Sequence, residues 1–342
     1  MKPKISVIIP AYNAEKTIKD TIKAVINQDF PKNKYEIIVV DDGSTDDTVK
    51  LIKRFRKVKL IKQKHEGPAS ARNLGVKNAR GEIILFTDAD CIPKKNWIKN
   101  IIKPFKKKNI VAVAGTYETL NKNKFMAKFV GYEIEQRHKS MRKVNFIDFV
   151  GTYNCAYKKL IFLKSRGFND KSFSAASGED PELSFKLKEA GYMMVFQPDA
   201  VVLHSHPENL RAYLKQKYSR AFWKVFLYYY HPKKIFGDTY TPKTLFPQIL
   251  PIIISLIIVL ISLCIGFIIG YFYPLQISLS MMFLLILILP LLNYDFYYFL
   301  WKKEKTMVIP SYFIFLFRNV ISVIAIIHGG IYFLFKKLNF IK

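Results

Sequence analysis

Cysteine is scarce. There are three in 342 residues, Cys91, Cys155 and Cys264, an odd number with no metal-ligand spacing. That excludes a disulfide framework and fits a reducing compartment. Acidic side chains are also few, 26 Asp plus Glu against 54 Lys plus Arg, for a formal net charge of +28. Such a balance points to an anionic partner, either lipid headgroups or nucleic acid. Abundant Lys beside abundant Ile is also a compositional bias, which accounts for many individual lysines. There is no internal repeat and no low-complexity linker. The opening "MKPKISVIIPAYN" has one short apolar run and no small-residue cleavage site. It is expected to be a strand and not a secretory signal, with the soluble part in the cytoplasm.

Long apolar runs are absent before about residue 245 and dominate after it. "ILPIIISLIIVLISLCIGFIIGYFY", "LQISLSMMFLLILILPLLNYDFYYFLW" and "YFIFLFRNVISVIAIIHGGIYFLF" are each long enough to cross a bilayer, which takes about 20 predominantly apolar residues. Buried helices of a soluble core would keep a polar stripe. The third run differs, because Arg318 and His328 lie within it and must face protein or water. Three membrane segments are expected, and their presence favours lipid over nucleic acid as the anionic partner. "NLRAYLKQKYSRAFWKVFLYYY", just before them, interleaves apolar positions with Arg211, Lys215, Lys217, Arg220 and Lys224, the pattern of an interfacial helix.

The first 200 residues alternate strand and helix. "ISVIIPAY", "YEIIVVDDGS", "VKLIKQ" and "GEIILFTDAD" read as strands, and the helical periods "AEKTIKDTIKAVINQ", "TDDTVKLIKRFRK" and "GPASARNLGVKNA" lie between them. Strands joined by crossover helices make a parallel sheet. Residues 117–150 are mixed basic and aromatic, and read either as a lid or acceptor-binding insertion or as an ordinary helix with a solvated basic face. Farther on, "GTYNCAYKKLIFLKSRGFND" reads as strand then helix, "GEDPELSFKLKEAGY" as a helix with Pro181 at its entry, and "MMVFQPDAVVLHSH" as strand.

In a chain so short of acid, two acidic clusters stand at strand ends: Asp41-Asp42 and Asp88-x-Asp90. Ligands of open α/β sheets bind beyond the carboxyl ends of the strands. Asp88 and Asp90 can both reach one hard divalent cation, which prefers oxygen ligands and leaves positions open for substrate phosphates. Asp42 is suited to accept hydrogen bonds from a nucleobase or ribose.

Together, "SVIIPAYNAEKTI", "EIIVVDDGSTDDT", "GPASARNLGVKNARGEIILFTDAD", "FVGTYNCAYKK", "GFND", "GEDPELSFKLKEAGY" and "VVLH" resemble the inverting, nucleotide-sugar-dependent glycosyltransferases of family 2, over about residues 3 to 210. The resemblance implies an α/β GT-A domain, Rossmann-like with a mostly parallel sheet, followed by an α-helical membrane domain. The corresponding division is a catalytic domain at 1–208, an interfacial helix and linker at 209–244, and a membrane domain at 245–342. It implies that Pro10, Ala11 and Tyr12 line the nucleotide pocket, that Asp42 reads the base, and that Arg72 sits near base or diphosphate. Gly151 matches a loop approaching donor or acceptor. Asp90 and Asp88 correspond to the metal pair for Mn²⁺ or Mg²⁺, with Asp90 the more direct ligand. His204 completes that shell, with His206 the competing choice. Asp180, beside Glu179, matches the catalytic base.

The expected activity is transfer of a sugar from a nucleotide-diphosphate donor to a hydroxyl of a lipid-linked glycan or related cell-surface glycan. The well-formed "GED" favours a hydroxyl acceptor, which needs a base, over a polyprenyl phosphate, which is already ionised. A polyprenyl-phosphate sugar synthase and a non-catalytic assembly protein of the same fold are the alternatives. The chain has "QKYSRA" where processive synthases carry a glutamine-arginine-tryptophan motif, which favours single addition. The expected location is a multi-pass place in the cell membrane, with the catalytic domain cytoplasmic, the "YFYPLQ" turn outside and "WKKEK" inside. If the third run does not fully span, Arg318 is expected to face lipid phosphate.

Overall fold

The structure is a computed structural model describing residues 3–173, 177–241, 245–269 and 290–338, with residues 276, 279, 280 and 283. The chain divides into two compact units, Met1–His206 and Pro207–Lys342.

The first unit is built on eight strands: β1 (Ile5–Ala11), β2 (Tyr35–Asp41), β3 (Val58–Lys62), β4 (Ile83–Thr87), β5 (Cys91–Pro93), β6 (Ile110–Thr119), β7 (Asn154–Lys158) and β8 (Met193–His204). They form one sheet in the order β3-β2-β1-β4-β7-β6-β8-β5. Neighbours are parallel from β3 through β4 and between β6 and β8; β7 runs antiparallel to both β4 and β6, and β5 antiparallel to β8. All seven residues of β1 are buried, the signature of a strand covered on both faces. The covering helices include α1 (Ile18–Ile26), α2 (Thr48–Ile52), α3 (Pro68–Lys77) and α4 (Trp97–Ile101). On α1, Ile18, Thr21, Ile22 and Val25 are buried at helical spacing, and α3 starts on Pro68, whose fixed φ suits a first helical position.

The alternation of strand and helix foretells the parallel half, and the insertion of antiparallel β7 at the centre is decided by tertiary pairing. Residues 117–150 finish β6 and then form α5 (Phe125–Arg142), which buries Met126, Phe129, Val130, Ile134 and Met141 and exposes Lys139 and Arg142. Two further helices, α6 (Lys159–Lys164) and α7 (Glu179–Glu189), follow β7.

Asn154 ties the antiparallel half together. Its Nδ2 donates to Thr116 O at 2.7 Å and Ala200 O at 2.8 Å, while its Oδ1 accepts from Trp97 Nε1 at 2.7 Å. Asn154 and Trp97 are fully buried.

The second unit contains α8 (Leu210–Tyr230), α9 (Leu245–Ile269), α10 (Tyr294–Lys303) and α11 (Val308–Lys337). Among the described residues, two stretches are long and apolar enough to cross a membrane, Leu245–Cys264 and Lys305–Lys337. Much of the first half of the second expected segment, at 275–301, lies outside the described residues, as do the "YFYPLQ" turn up to residue 275 and Lys342. The expectation that Arg318 faces lipid phosphate is corrected. Arg318 is buried, with its Nη2 donating to Gln248 Oε1 on α9 and to Asn319 Oδ1 at 2.9 Å. A guanidinium in an apolar bundle is stabilised better by amide oxygens within hydrogen-bond reach than by a long excursion to the interface.

Replacing Asn154 with Leu removes three hydrogen bonds and strands Thr116 O, Ala200 O and the Trp97 indole in the core. The expected loss of stability is on the order of 3 kcal/mol or more, read as a lower denaturant midpoint by Trp fluorescence. An unchanged midpoint would show that these groups find other partners.

Candidate active site

Strand register brings the first acidic cluster beside the end of β1. Ala11 pairs with Asp41, and the Asp42 amide donates to Ala11 O at 2.8 Å. Pro10 and Ala11 are buried at this edge, and Tyr12 emerges from it, 46% exposed. The Tyr12 ring stacks on His65, with centroids 4.0 Å apart. Asp42 is buried, and both of its oxygens are engaged. Oδ1 accepts from Gln63 Nε2 at 2.6 Å and Glu66 N at 2.9 Å; Oδ2 accepts from Gly67 N at 3.0 Å and lies 2.9 Å from His65 Nδ1. A carboxylate offers about four acceptor positions, so Asp42 fixes the shape of the 63–67 loop. A base-reading role for Asp42 requires one of these contacts to give way.

The second cluster divides its two carboxylates. Between them, Ala89 O accepts from Thr21 Oγ1 at 2.8 Å, which pins the turn to α1. Asp88 then reaches Arg72 and Asp90 reaches His204. Arg72, on α3, is buried, with Nη2 donating to Asp88 Oδ1 at 2.8 Å and Nη1 to Glu179 Oε1 at 3.1 Å. Its Nε is buried with no partner among the described residues. Burial disfavours the charge, but Asp88, Asp180 and Glu179 outweigh it and raise the pKa. Both terminal nitrogens therefore face carboxylates of this chain, and Arg72 joins the end of β4 to the start of α7.

The "GED" segment enters α7 through Gly178, whose φ of +111° is left-handed. A Cβ there would also lie 2.4 Å from the Phe173 ring, so only glycine suits the turn. Glu179 and Asp180 occupy the first helical turn. Asp180 Oδ2 accepts from Thr152 N at 3.0 Å and Thr152 Oγ1 at 3.1 Å. Its other oxygen, Oδ1, is buried with no hydrogen-bond partner among the described residues. Burial raises the Asp180 pKa, Arg72 and Thr152 oppose that, and nearby Asp88 adds to it. Burial and Asp180 likewise raise Glu179 against the pull of Arg72. Gly151 belongs to the same loop. A Cβ on it would lie 2.2 Å from the Tyr153 ring, so glycine lets the loop close over Tyr153 and present Thr152 to Asp180.

Pairing of β5 with β8 sets Cys91 opposite His204, which carries the imidazole to Asp90. His204 Nε2 lies 3.5 Å from Asp90 Oδ2. One potential ligand atom each from Asp90, Cys91 and His204 lies within 4.8 Å of the others. Burial alone would raise the Asp90 pKa, but the hydrogen bond and charge of His204 bring it below the usual carboxylate value. Burial, followed by Asp88 and Asp90, pushes the Cys91 thiol well up, which keeps the metal-free thiol protonated. A carboxylate with an imidazole suits Mn²⁺ or Mg²⁺ better than a soft metal. His206 is buried; its backbone N donates to the Asn121 side chain at 3.0 Å and its backbone O accepts from it at 2.9 Å, while its ring Nδ1 lies 3.3 Å from His204 Nδ1. Of the two histidines, His204 is the one facing Asp90.

Sequence reasoning missed Thr21, Gln63, His65 and Thr152 as parts of this site. Thr152 lies in the quoted "GTYN" segment, but nothing local links it to Asp180, 28 residues later. Thr21 sits on a buried helical face, where a threonine looks like core.

The sequence profile of Glycosyl transferase family 2 matches residues 6–165. Glycosyltransferase AglE of Haloferax volcanii is 29% identical over 210 residues, covering 59% of this chain and 67% of that protein. A Methanococcus voltae protein, dolichyl N-acetyl-alpha-D-glucosaminyl phosphate 3-beta-D-2,3-diacetamido-2,3-dideoxy-beta-D-glucuronosyltransferase, is 28% identical over 230 residues, 63% of this chain and 71% of that one. Other curated relatives are longer, and the matches take in 54% of one and 18% of another. The structure of mannosyltransferase PcManGT from Pyrobaculum calidifontis, in complex with GDP-Man and Mn²⁺, has the same fold, with a TM-score of 0.60 at 20% identity over 96% of this chain and 87% of that one. Residues 6–165 thus match Glycosyl transferase family 2, within a unit of GT-A fold, and among the described residues two of the helices that follow it are long and apolar enough to cross a membrane.

Proposed function

We propose that the protein transfers a sugar, with inversion, from a nucleotide-diphosphate donor to a hydroxyl of a lipid-linked glycan at a membrane. The observation carrying this reading is the Asp180 carboxylate, with Oδ2 held by Thr152 and Oδ1 buried without a partner. An alcohol is a weak nucleophile at neutral pH and needs a base within hydrogen-bond reach as it attacks. Asp180 Oδ1 takes the hydroxyl proton while the acceptor oxygen bonds to the anomeric carbon and the bond to the diphosphate breaks on the opposite face. The raised pKa of Asp180 makes it a stronger base. Glu179 and Asp88 share Arg72, which holds the base-bearing helix against the end of β4.

Asp90 and His204 would hold Mn²⁺ or Mg²⁺, with Asp88 beside them. The ion supplies positive charge for the departing diphosphate. The exposed Tyr12–His65 stack offers a face for the nucleobase, at the end of β1 where Pro10, Ala11 and the Asp42-shaped loop meet. The Methanococcus voltae relative is named for transfer to a sugar on dolichyl phosphate, the acceptor class this reading gives here. The membrane-length helices support the same choice. In the proposed orientation the catalytic unit faces the cytoplasm, and Lys302, Lys303 and Lys305 follow the bias of cytoplasmic loops for basic residues.

Asp180→Asn keeps the shape and removes the proton acceptor. Turnover should fall about 10²–10⁴-fold with nucleotide-sugar affinity nearly intact. Unchanged turnover would mean an acceptor already ionised, as in a polyprenyl-phosphate sugar synthase. Because the base must be ionised and burial raises its pKa, the acidic limb of the rate–pH profile should lie above the ordinary carboxylate value of about 4. Thr152→Val should move it higher still, by removing a hydrogen bond to the charged form.

Asp90→Ala should lose donor binding and turnover together while the fold, read by circular dichroism, is kept. Full activity of that variant in the presence of chelator would sink the metal assignment. A single cysteine added after Lys342, in a background lacking Cys91, Cys155 and Cys264, reports the crossing number. Three crossings place it outside, and labelling from the cytoplasmic side alone would overturn them.

A further inference from the structure

Within the second unit, α8 lies alongside α11. Phe222 on α8 meets His328 and Tyr332 on α11, with ring centroids 5.2 and 5.5 Å apart, Phe226 meets Phe333 at 5.3 Å, and Tyr229 meets Phe333 at 4.7 Å. The Tyr218 hydroxyl hydrogen-bonds His328 Nδ1. Toward the start of α8 the two helices leave an open groove of about 530 Å³, lined by Leu210, Arg211, Leu214, Lys215, Tyr218 and Ile321.

The chemistry of this groove is two-sided. Leu210, Leu214 and Ile321 give it an apolar wall. Arg211 and Lys215 are exposed, one helical turn apart, and neither has a hydrogen bond or ion pair among the described residues. Like charges at that spacing destabilise a helix by a few tenths of a kcal/mol when nothing neutralises them. An anion between them would relieve the repulsion, and Arg is the residue whose planar donors fit phosphate oxygens. A ligand filling both halves carries a phosphate joined to a hydrocarbon chain. The groove is open along one side and admits only the first few carbons of a long chain. The unit holding it also contains membrane-length helices, so the rest of such a chain would lie in bilayer.

We propose that this groove, walled by Leu210, Leu214 and Ile321 and rimmed by Arg211 and Lys215, binds the phosphate and proximal hydrocarbon of a long-chain lipid phosphate carrying the acceptor sugar. The inference rests on the proposed transfer to a lipid-linked hydroxyl and names the part of the acceptor held away from the reacting sugar. Arg211 and Lys215 are therefore binding residues with no part in proton transfer. The groove selects acceptors by their carrier, and the same sugar on a short neutral alkyl chain is a poor substrate.

The test uses the full chain in nanodiscs of zwitterionic phosphatidylcholine and a photoreactive polyprenyl monophosphate as probe. Crosslinks should map to 210–218 or to Ile321. The double substitution Arg211→Gln, Lys215→Gln should weaken probe binding roughly tenfold or more, and Leu214→Trp, which fills the groove and leaves both cations, should weaken it comparably. Nucleotide-sugar affinity, measured by heat shift on the same preparations, controls for folding and should hold. Unaltered probe binding in both variants, crosslinks confined elsewhere, or equal displacement of the probe by phosphatidylglycerol or inorganic phosphate would overturn the proposal. Probe binding in the groove without any nucleotide-sugar binding would instead count against the transferase reading and leave the groove standing.

Discussion

A single buried guanidinium organises the site. Arg72 leaves α3, holds Asp88 at the end of β4 with one nitrogen and Glu179 at the start of α7 with another. These groups come from three parts of the chain, and the ion pairs fix their positions in a place shielded from water. Such an arrangement gives little net stability, because the desolvation of buried charges consumes most of the attraction. Its effect is on position and on proton affinity. Asp88, Glu179 and Asp180 surround one cation, so negative charge is in excess, and burial raises the pKa of both Glu179 and Asp180. A chain with a net charge of +28 thus keeps a local surplus of carboxylate.

The rest of the geometry comes from how the sheet delivers its ends. Thr21 pins Ala89, and the two carboxylates flanking that residue part, Asp88 to Arg72 and Asp90 to His204. The antiparallel pairing of β5 with β8 sets the imidazole opposite. Antiparallel β7, between β4 and β6, places Asn154 at the centre of a hydrogen-bond network, and the loop just before it presents Thr152 to Asp180. The proposed proton acceptor, Asp180, and the candidate cation ligands therefore stand on separate segments, joined through Arg72 and Asp88, as the proposed displacement would require.

The helical unit handles polar groups by the opposite route. Arg318 lies in an apolar helix but is buried against Gln248 and Asn319, and Gln248 also donates to Asn293 at 2.9 Å. In apolar surroundings a polar side chain is stable only with partners in reach. The exposed cations Arg211 and Lys215 on α8 are of another kind, free to meet a ligand from outside.

Much of this was legible in the residues. Alternating strand and helix periods gave the α/β class, because buried parallel strands are continuous apolar runs and their covering helices bury one side at helical spacing. Carboxylates at strand ends marked the site, because side chains just past the carboxyl end of a strand are no longer covered by neighbouring strands and helices. "GED" stood out by its resemblance to a family, and the apolar runs after residue 245 announced membrane-length helices by composition alone. Tertiary structure decided everything that depends on long-range register. The placement of β7, the meeting of His204 with Asp90, and the grip of Thr152 on Asp180 join residues 28 to 114 positions apart, and no local pattern encodes such pairings. Asp42 looked free to read a base, and only the folded 63–67 loop showed its oxygens occupied. Residue type and local period are written in the chain, whereas the partner a side chain finds is set by which strand ends the sheet brings together.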